Sequence, residues 1–369
     1  MSHTPTPPPF MTFEESRRRR EHARRRRRAR RRAGTVAVLD LLLAAAFVVM
    51  ALARSHPARG SAAAVRHGHA WVGHSTQAPH ARVSQTGLPL AKSALTLAGV
   101  GDPAGDPIQT QFAEPPRAGL LFNLDTGQVL WQRNPYTRLR IASLTKMMTA
   151  LLTVESEPPL TPVLITRRAY DMPGSKVGVL PLGHHVRLES LLYGLLLPSG
   201  NDAAVALAER VAGTVNRFVD AMNAKAASLG MGCTRYSSPS GYYDAGNYSC
   251  AADLAILAHV DLQQPRIARV TRTYTAALPF PIKGGKLYLY NNNPLLIYHY
   301  PGLTGLKTGY TLAAGKCLVA TAERHGVRLG VVLLHSTDPG TQAAYLLDRG
   351  FEDVYGQPPV PAPPIPAGE

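Results

Sequence analysis

The hydrophobic pattern divides the chain into a membrane-type segment, a linker and a folded domain. Residues 34–53 form a run of twenty residues whose only charged side chain is Asp40. As a helix this run would span about 30 Å, the thickness of a bilayer core. Residues 54–112 are rich in Ala, Pro, Gly, Ser and His without a lasting period, which predicts a disordered linker. Residues 113–356 show strand and helix periods and predict the folded domain, which a Pro-rich tail at 357–369 follows.

Within the folded domain the predicted strands lie at both ends and most of the predicted helices lie in the middle. Short apolar runs separated by turn residues, such as Asp125-Thr126-Gly127, predict strands. These are residues 118–124, 128–132, 305–311, 316–322 and 327–335. Apolar residues at helical spacing predict helices at residues 143–154, 188–197, 202–211, 215–229, 251–260 and 342–351. Most connections are too short for parallel crossovers. The pattern therefore predicts an α/β domain of the α+β type, with one antiparallel sheet from both chain ends, flanking helices and a helical insert.

The basic charge is concentrated before the apolar segment. The chain has a formal net charge of +16, and residues 1–33 contain 12 Arg and 3 Glu, a net of +9. Arginines before an apolar span predict that residues 1–33 are a cytoplasmic tail and that everything after Ala53 is outside. The arginine run lacks interleaved aromatic residues and a recognisable reading motif, so we expect no nucleic-acid partner. We expect it to set topology and to contact anionic lipid.

Three interpretations of the apolar segment are compatible with its sequence. Its length favours an uncleaved transmembrane signal anchor over residues 34–53. Ala51-Leu52-Ala53 also resembles a cleavage site, and a signal peptide cut after Ala53 would release a secreted domain. A buried soluble helix is the third possibility. The first two predict an extracytoplasmic folded domain, held at the membrane in one case and free in the other.

A nucleophile and its base are suggested by Ser143-Leu144-Thr145-Lys146. Positions i and i+3 lie on one face of a helix, so the amine of Lys146 can reach the hydroxyl of Ser143. A serine hydroxyl is a poor nucleophile until a base takes its proton. A lysine can be that base if burial or nearby cations lower its pKa. Alone, the pattern also fits a helix-capping serine beside an exposed lysine.

Two further motifs place polar groups where a cleft could form. Ser199-Gly200-Asn201 lies at a break between two predicted helices, so its hydroxyl and carboxamide can project from a tight turn. Lys307-Thr308-Gly309 lies in a predicted strand, where a glycine allows the substrate backbone to approach a strand edge. Each alone also fits a structural role, as a plain turn or as an edge strand with a protective lysine.

Taken together and in this order, the three motifs match the signature of class A β-lactamases and penicillin-binding proteins. The stretches around them, residues 142–149, 195–204 and 302–311, closely resemble the low-molecular-mass penicillin-binding proteins of the serine-type D-alanyl-D-alanine carboxypeptidase family (peptidase S11-like). Asp171-Met-Pro-Gly-Ser175 and Ser238-Pro-Ser-Gly241 also look like that family. The resemblance covers essentially the whole folded region.

The resemblance implies a β-lactamase/transpeptidase-like fold and a D-alanyl-D-alanine carboxypeptidase activity. Similar proteins remove the terminal D-Ala from peptidoglycan stem peptides through an acyl-enzyme. By analogy, Ser143 would be the acylated nucleophile and Lys146 its base. Ser199 and Asn201 would pass protons to the leaving amine and hold the substrate amide. β-Lactams would acylate the same serine, so the resemblance also implies covalent penicillin binding.

The third motif would bind the substrate. Lys307 and Thr308 would hold the terminal carboxylate, which suits a cation and a hydroxyl, with Gly309 completing the substrate-binding strand. The backbone N–H groups of Ser143 and Tyr310 would form the oxyanion hole. The resemblance implies no metal and no cofactor.

The sequence departs from the family pattern at three places. The family commonly has His after Lys-Thr-Gly, where this chain has Tyr310. It often places an Arg near the final helix as a second carboxylate partner, and none lies between His335 and Arg349. The family's usual His before Gly is Ser240 here. The first two changes bear on the pocket and on carboxylate affinity.

The three cysteines leave their pairing open. Cys233, Cys250 and Cys317 are an odd number, so at least one stays unpaired outside the cytoplasm. A Cys233–Cys250 bridge is possible, and buried thiols are an equal alternative. Cys317 lies in a predicted strand and is expected in the core.

Two alternative functions compete with the carboxypeptidase. A β-lactamase-like hydrolase would share the fold, but Ser-Gly-Asn replaces Ser-Asp-Asn and no acid occupies the family's deacylation position. A non-catalytic wall-binding protein with a degenerate site is the other alternative. The intact motifs argue against it, and Tyr310 with the missing Arg argues for it.

Overall fold

An antiparallel sheet made from both ends of the folded region confirms the predicted architecture. The computed structural model describes residues 95–242 and 245–359. The sheet strands are β1 Ala118–Asn123, β2 Val129–Arg133, β7 Leu303–Thr311, β8 Gly315–Arg324 and β9 Val327–Ser336. They pair antiparallel in the order β2-β1-β9-β8-β7. The first and last strands of the region therefore meet in the middle of the sheet, and β7 lies at an edge.

The turn between β1 and β2 shows why this hairpin forms here. The side-chain oxygen of Asn123 accepts hydrogen bonds from the backbone N–H groups of Asp125 (2.8 Å) and Thr126 (2.9 Å). Gly127 follows with a φ of +74°, and a Cβ there would lie 2.0 Å from the carbonyl oxygen of Thr96. A side chain is therefore excluded at this position, as the predicted hairpin signal requires.

The predicted helices all form, with small shifts at their ends. The helices are α1 Lys146–Ser156, α2 Arg167–Tyr170, α3 Leu188–Leu196, α4 Asn201–Ala212, α5 Val215–Ser228, α6 Ala251–Leu262, α7 Pro265–Thr271, α8 Pro294–Ile297 and α9 Pro339–Arg349. Ser143 lies in a 3₁₀ turn, Ala142–Thr145, directly before α1 rather than inside a regular helix. The last helix begins three residues earlier than predicted because Asp338 caps it, accepting from Thr341 N–H.

Two small two-stranded sheets were not predicted from the sequence. One pairs β3 Pro162–Leu164 with β4 His185–Arg187, and the other pairs β5 Thr275–Pro279 with β6 Lys286–Tyr290. The strands β3 and β4 have three residues each, which is too short for a period to show. Along β6, buried and exposed residues alternate strictly, so its period-2 pattern was a usable signal.

Both faces of the large sheet are covered. On β9, Val332 and Leu334 pack with the helices of the main core, whereas Val331 and Leu333 pack with α9 on the opposite face. Successive residues of a strand point to opposite faces, so the central positions 331–334 of this strand are all apolar. This rigid sheet carries β7, the strand with the third motif.

The expectations for the N-terminal part of the chain fall mostly outside the described residues. The tail at 1–33 and the apolar segment at 34–53 are not among them. In the part of the chain that the structure describes, no helix is both long and apolar enough to cross a bilayer. Residues 95–112, which the sequence pattern assigned to the linker, lie against the sheet: Ile108 is buried and its N–H bonds to Leu130 O at 3.0 Å.

Candidate active site

The first motif forms the pair that its spacing predicts. Lys146 Nζ lies 2.8 Å from Ser143 Oγ. The 3₁₀ turn presents the serine beside the start of α1, and the residue before it, Ala142, has a φ of +47°. A non-glycine residue in this region is strained, and such strain is kept where the surrounding structure fixes a functional group.

Lys146 is fully buried, and two carbonyl oxygens hold its amine. Its Nζ donates to Asn201 Oδ1 at 2.7 Å and to the backbone oxygen of Ser240 at 2.7 Å. A neutral amine has two N–H donors and one lone pair. With both donors used on carbonyls, the third contact, to Ser143 Oγ, is where the lone pair can accept the hydroxyl proton.

Burial lowers the pKa of Lys146 well below its ordinary value. The positive charge of Lys307 lowers the pKa further, and the carboxylate of Asp202 acts in the opposite direction. Removing an ammonium group from water disfavours its charged form, so burial favours the free amine. The free amine is the form of lysine that can act as a base.

The second motif places a strained serine next to this pair. Ser199 has a φ of +65° and is 7% exposed, and its Oγ has no hydrogen-bond partner among the described residues. Asn201 begins α4, and its amide nitrogen donates to Pro173 O at 2.7 Å. Both amide atoms of Asn201 thus have protein partners, which fixes its oxygen on Lys146.

The third motif runs alongside the serine turn on the edge strand β7. A Cβ on Gly309 would lie 2.9 Å from Ile141 O and 3.2 Å from the backbone nitrogen of Ser143. Only glycine lets the strand approach this closely. Lys307 is buried and its Nζ donates to Thr308 O at 2.9 Å. Burial lowers the pKa of Lys307 to about 7.

The structure therefore brings all three predicted motifs into one cleft. Ser143, Lys146 and Asn201 are joined by direct contacts, and Gly309 lies against the serine turn. Thr308 is half-buried next to Lys307, and Tyr310 is 63% exposed beyond the glycine.

Two residues of the site have roles that the sequence analysis did not assign. Ser240 contributes its backbone carbonyl to Lys146, so its side chain is not what the lysine uses. Asp202 accepts from the N–H groups of Val177 (2.9 Å) and Gly178 (3.2 Å), which holds the loop opposite the serine turn. The role of Asp202 could have been suspected from the sequence, because this acidic residue directly follows the second motif, Ser199-Gly200-Asn201.

Glycines explain the two additional family-like segments. A Cβ on Gly241 would lie 1.9 Å from the carbonyl oxygen of Ala142, and its φ is +69°. A Cβ on Gly174 would lie 2.5 Å from the ring of Tyr242 and 2.7 Å from the amide nitrogen of Asn201. One segment therefore packs on the serine turn and the other on Asn201, and neither tolerates a side chain at its glycine.

A disulfide closes the loop that carries the Ser240 carbonyl. The bridge joins Cys233 to Cys250, and Cys317 is buried in the core as expected. Among the described residues, Cys233, Cys250 and Asp253 are the one group close enough to share a metal ion. Because both sulfurs are in the disulfide, this group lacks the thiolates that such a site would need.

A known protein family matches the part of the chain that carries this site. The family model described as "D-alanyl-D-alanine carboxypeptidase" (Peptidase_S11) matches residues 112–338, more than half of the chain. The chain belongs to this family. The match spans all three motifs and confirms the resemblance to low-molecular-mass penicillin-binding proteins.

Similar proteins of this family are named either as carboxypeptidases or as endopeptidases. D-alanyl-D-alanine carboxypeptidase DacF of Bacillus subtilis is 36% identical over 66% of this chain and 64% of its own length. A D-alanyl-D-alanine endopeptidase of Pseudomonas aeruginosa is 34% identical over 69% of this chain and 89% of its own. The chain thus spans slightly less than two thirds of the Bacillus relative.

Solved structures confirm the fold class of the family. The Streptomyces K15 DD-transpeptidase is 30% identical, with a TM-score of 0.62 over 66% of this chain and 99% of its own. A penicillin-binding protein homolog from Mycobacterium tuberculosis is 34% identical, with a TM-score of 0.63 over 70% of this chain and 98% of its own. The expected β-lactamase/transpeptidase-like fold is therefore correct.

Proposed function

We propose that this protein is a serine-type D-alanyl-D-alanine carboxypeptidase that removes the terminal D-Ala from peptidoglycan stem peptides. The observation that carries the proposal is the buried amine of Lys146, held by two carbonyls and 2.8 Å from Ser143 Oγ. A neutral amine in this position is what a serine nucleophile requires.

In the acylation step, Lys146 takes the proton of Ser143 and the freed oxygen attacks the carbonyl of the D-Ala–D-Ala bond. The negative charge that develops on the carbonyl oxygen is stabilised by the backbone N–H groups of Ser143 and Tyr310. The close approach of Gly309 to the nitrogen of Ser143 supports this role, since it sets β7 beside the serine turn.

The leaving amine receives its proton through Ser199. The support is a buried hydroxyl without a protein partner, which is free to bridge to substrate. Asn201 acts first by orienting Lys146, and the second N–H of its amide remains to hold the substrate amide. Hydrolysis by water then releases the shortened peptide from Ser143.

The terminal carboxylate of the substrate binds Lys307 and Thr308. Because the pKa of Lys307 is about 7, a bound carboxylate favours its protonated form and completes a charge-assisted hydrogen bond. A penicillin carries a carboxylate in the corresponding place, so the same groups would orient it for acylation of Ser143.

We place the catalytic domain outside the cytoplasm, anchored by residues 34–53 with residues 1–33 inside. The support is the Arg-rich sequence before the apolar segment and the wall polymer as the proposed substrate.

The test is D-Ala release from a soluble pentapeptide ending in D-Ala–D-Ala, together with labelling by fluorescent penicillin. We expect the release of one D-Ala for each pentapeptide cleaved and a stable penicillin adduct on the wild type. Both should be lost in Ser143→Ala. Rapid penicillin turnover without D-Ala release would contradict the proposal in favour of a β-lactamase. Neither reaction, in a folded protein, would leave the wall-binding alternative.

A further inference from the structure

Two tyrosines on the β5–β6 hairpin face solvent, and the proposed reaction uses neither. The leucines of β6 are buried, whereas Tyr288 and Tyr290 are 64% and 63% exposed. In the antiparallel pair, Tyr288 lies opposite Ala277 and Tyr290 opposite Thr275. Residues two apart share one face of a strand, and their cross-strand neighbours here are small. The two rings therefore form an open aromatic platform on the outer face of the hairpin.

The exposed charges on the hairpin itself and just before it are basic. The 61 residues from Leu262 to Ala322 contain seven Lys or Arg residues and neither Asp nor Glu. Arg266 and Arg269, earlier in the chain, pair with Glu189 on α3, so the cations open to a ligand are those of the hairpin. Lys283 and Lys286, at the tip of the same hairpin, are exposed, and so is Arg272 just before β5. A basic surface with flat aromatic rings suits a polymer that carries carboxylates and presents apolar ring faces.

The end of the hairpin also contacts the segment that leads into the second motif. Asn292, two residues after Tyr290, donates its backbone N–H to Leu197 O at 3.2 Å. Leu197 lies two residues before Ser199. The turn that ends the hairpin therefore touches the segment that carries the second motif, and a long substrate leaving the cleft can meet the hairpin.

We infer that Tyr288 and Tyr290 bind the glycan strand of peptidoglycan, with Lys283 and Lys286 contacting carboxylates of its stem peptides. A pyranose ring presents axial C–H bonds to an aromatic face, so sugars stack on exposed tyrosines. The inference rests on the proposed function, because a stem peptide held in the cleft brings its own glycan strand near the hairpin. Short peptides without sugars would not reach this surface.

The test compares polymeric peptidoglycan with a soluble pentapeptide as substrates of the full chain. Alanine at both positions, Tyr288→Ala with Tyr290→Ala, should lower kcat/KM on the polymer about tenfold and leave the pentapeptide unchanged. The matched control is Tyr136→Ala with Tyr345→Ala, two tyrosines that are 53% and 40% exposed elsewhere. In the control variant, the ratio of kcat/KM on the polymer to kcat/KM on the pentapeptide should equal that of the wild type. An equal polymer-to-peptide ratio in wild type and the hairpin variant would overturn the inference.

Binding without turnover separates this inference from the proposed activity. In a Ser143→Ala background, glycan strands stripped of their stem peptides should bind the full chain, and the hairpin variant should bind them about tenfold less tightly. Equal binding by the hairpin variant, or binding of the intact polymer but not of stripped strands, would overturn the inference. Failure of the wild type to release D-Ala from any substrate would contradict the proposed function, and the binding arm would still decide the role of the hairpin.

Discussion

The two ends of the cleft each bury a lysine, but they hold it differently. At the serine turn, the amine of Lys146 contacts two carbonyl oxygens and a hydroxyl. On β7, the amine of Lys307 has one contact, to the carbonyl of Thr308. Burial is the first cause of the lowered pKa at both, and Lys146 is further affected by the charge of Lys307.

The difference shows how one physical effect can produce two chemical roles. Burial and the neighbouring cation lower the pKa of Lys146 and favour its neutral form, and its protein contacts leave only the serine for its lone pair. Burial lowers the pKa of Lys307 to about 7, and among the described residues its amine donates one hydrogen bond, to the carbonyl of Thr308. The first arrangement suits a base, and the second suits a cation that forms when a carboxylate arrives.

The largest expected effect comes from removing the base. Lys146→Met should lower the rate of acylation by fluorescent penicillin about a thousandfold, because the serine then has no group to take its proton. Gel fluorescence over time measures the rate. As a matched control, Lys225→Met removes a lysine that pairs with Glu155 on the surface and should leave the rate within about twofold of wild type. A Lys146→Met variant that acylates at the control rate would contradict the role of the lysine.

The spacing between the two ends of the cleft depends on Gly309. Gly309→Ala should lower kcat/KM for the pentapeptide by about a hundredfold, because the added methyl would meet backbone atoms of Ile141 and Ser143 and displace β7. Steady-state kinetics measures this change. Gly232→Ala, at a glycine with open space around it, is the control and should have near wild-type kinetics. Equal kinetics in both variants would show that β7 need not lie against the serine turn.

The pH dependence of substrate capture tests the second lysine. Lys307 is protonated below its pKa of about 7, so its attraction for carboxylate is present at lower pH and is lost as pH rises. We expect kcat/KM for the pentapeptide to fall above about pH 7, by up to about tenfold per pH unit. In Lys307→Arg the cation persists at all these pH values, so this decline should vanish over pH 7–9. The same alkaline decline in both proteins would assign it to another group.

The smallest expected effect concerns a buried carboxyl group outside the cleft, for comparison with the two buried lysines inside it. Asp261 is fully buried, and its carboxylate has no hydrogen-bond partner among the residues that the structure describes. Burial, followed by the charge of Glu155, raises its pKa well above 3.8. A raised pKa means that its ionisation destabilises the fold as pH rises above about 4. Asp261→Asn should therefore raise the free energy of unfolding at pH 7 by about 1 kcal/mol, with no gain near pH 4.

Urea denaturation at the two pH values measures this effect. The exposed Asp220→Asn serves as control, since a solvated carboxylate has no such cost. A gain of the same size at pH 4 and pH 7 would contradict the ionisation argument.

Much of this arrangement was predictable from the sequence, and the reasons are local. Ser143 and Lys146 are three residues apart, so a helical turn alone brings them together, and the apolar runs of β8 and β9 are long enough to define the sheet. The strands β3 and β4 were not predicted because three residues are too few to show a period, whereas the alternation along β6 was present in the sequence and was missed.

The remaining parts of the site depend on contacts across the fold. The Ser240 carbonyl is a backbone group, and no side-chain pattern marks a backbone acceptor that lies 94 residues from Lys146. The same holds for the disulfide, because spacing alone left Cys233 and Cys250 equally compatible with buried thiols. Tertiary packing decides both.

The rate of acylation of Ser143 by fluorescent penicillin, measured between pH 9 and pH 7, tests the central claim most directly. The proposed mechanism requires a neutral Lys146 throughout this range, so it predicts a rate at pH 7 at least as high as at pH 9, and no labelling of Ser143→Ala at either pH. A lysine with the ordinary pKa near 10.4 would instead lose about tenfold in rate for each unit of falling pH. A decline of that size would contradict the neutral buried base on which the proposed mechanism depends.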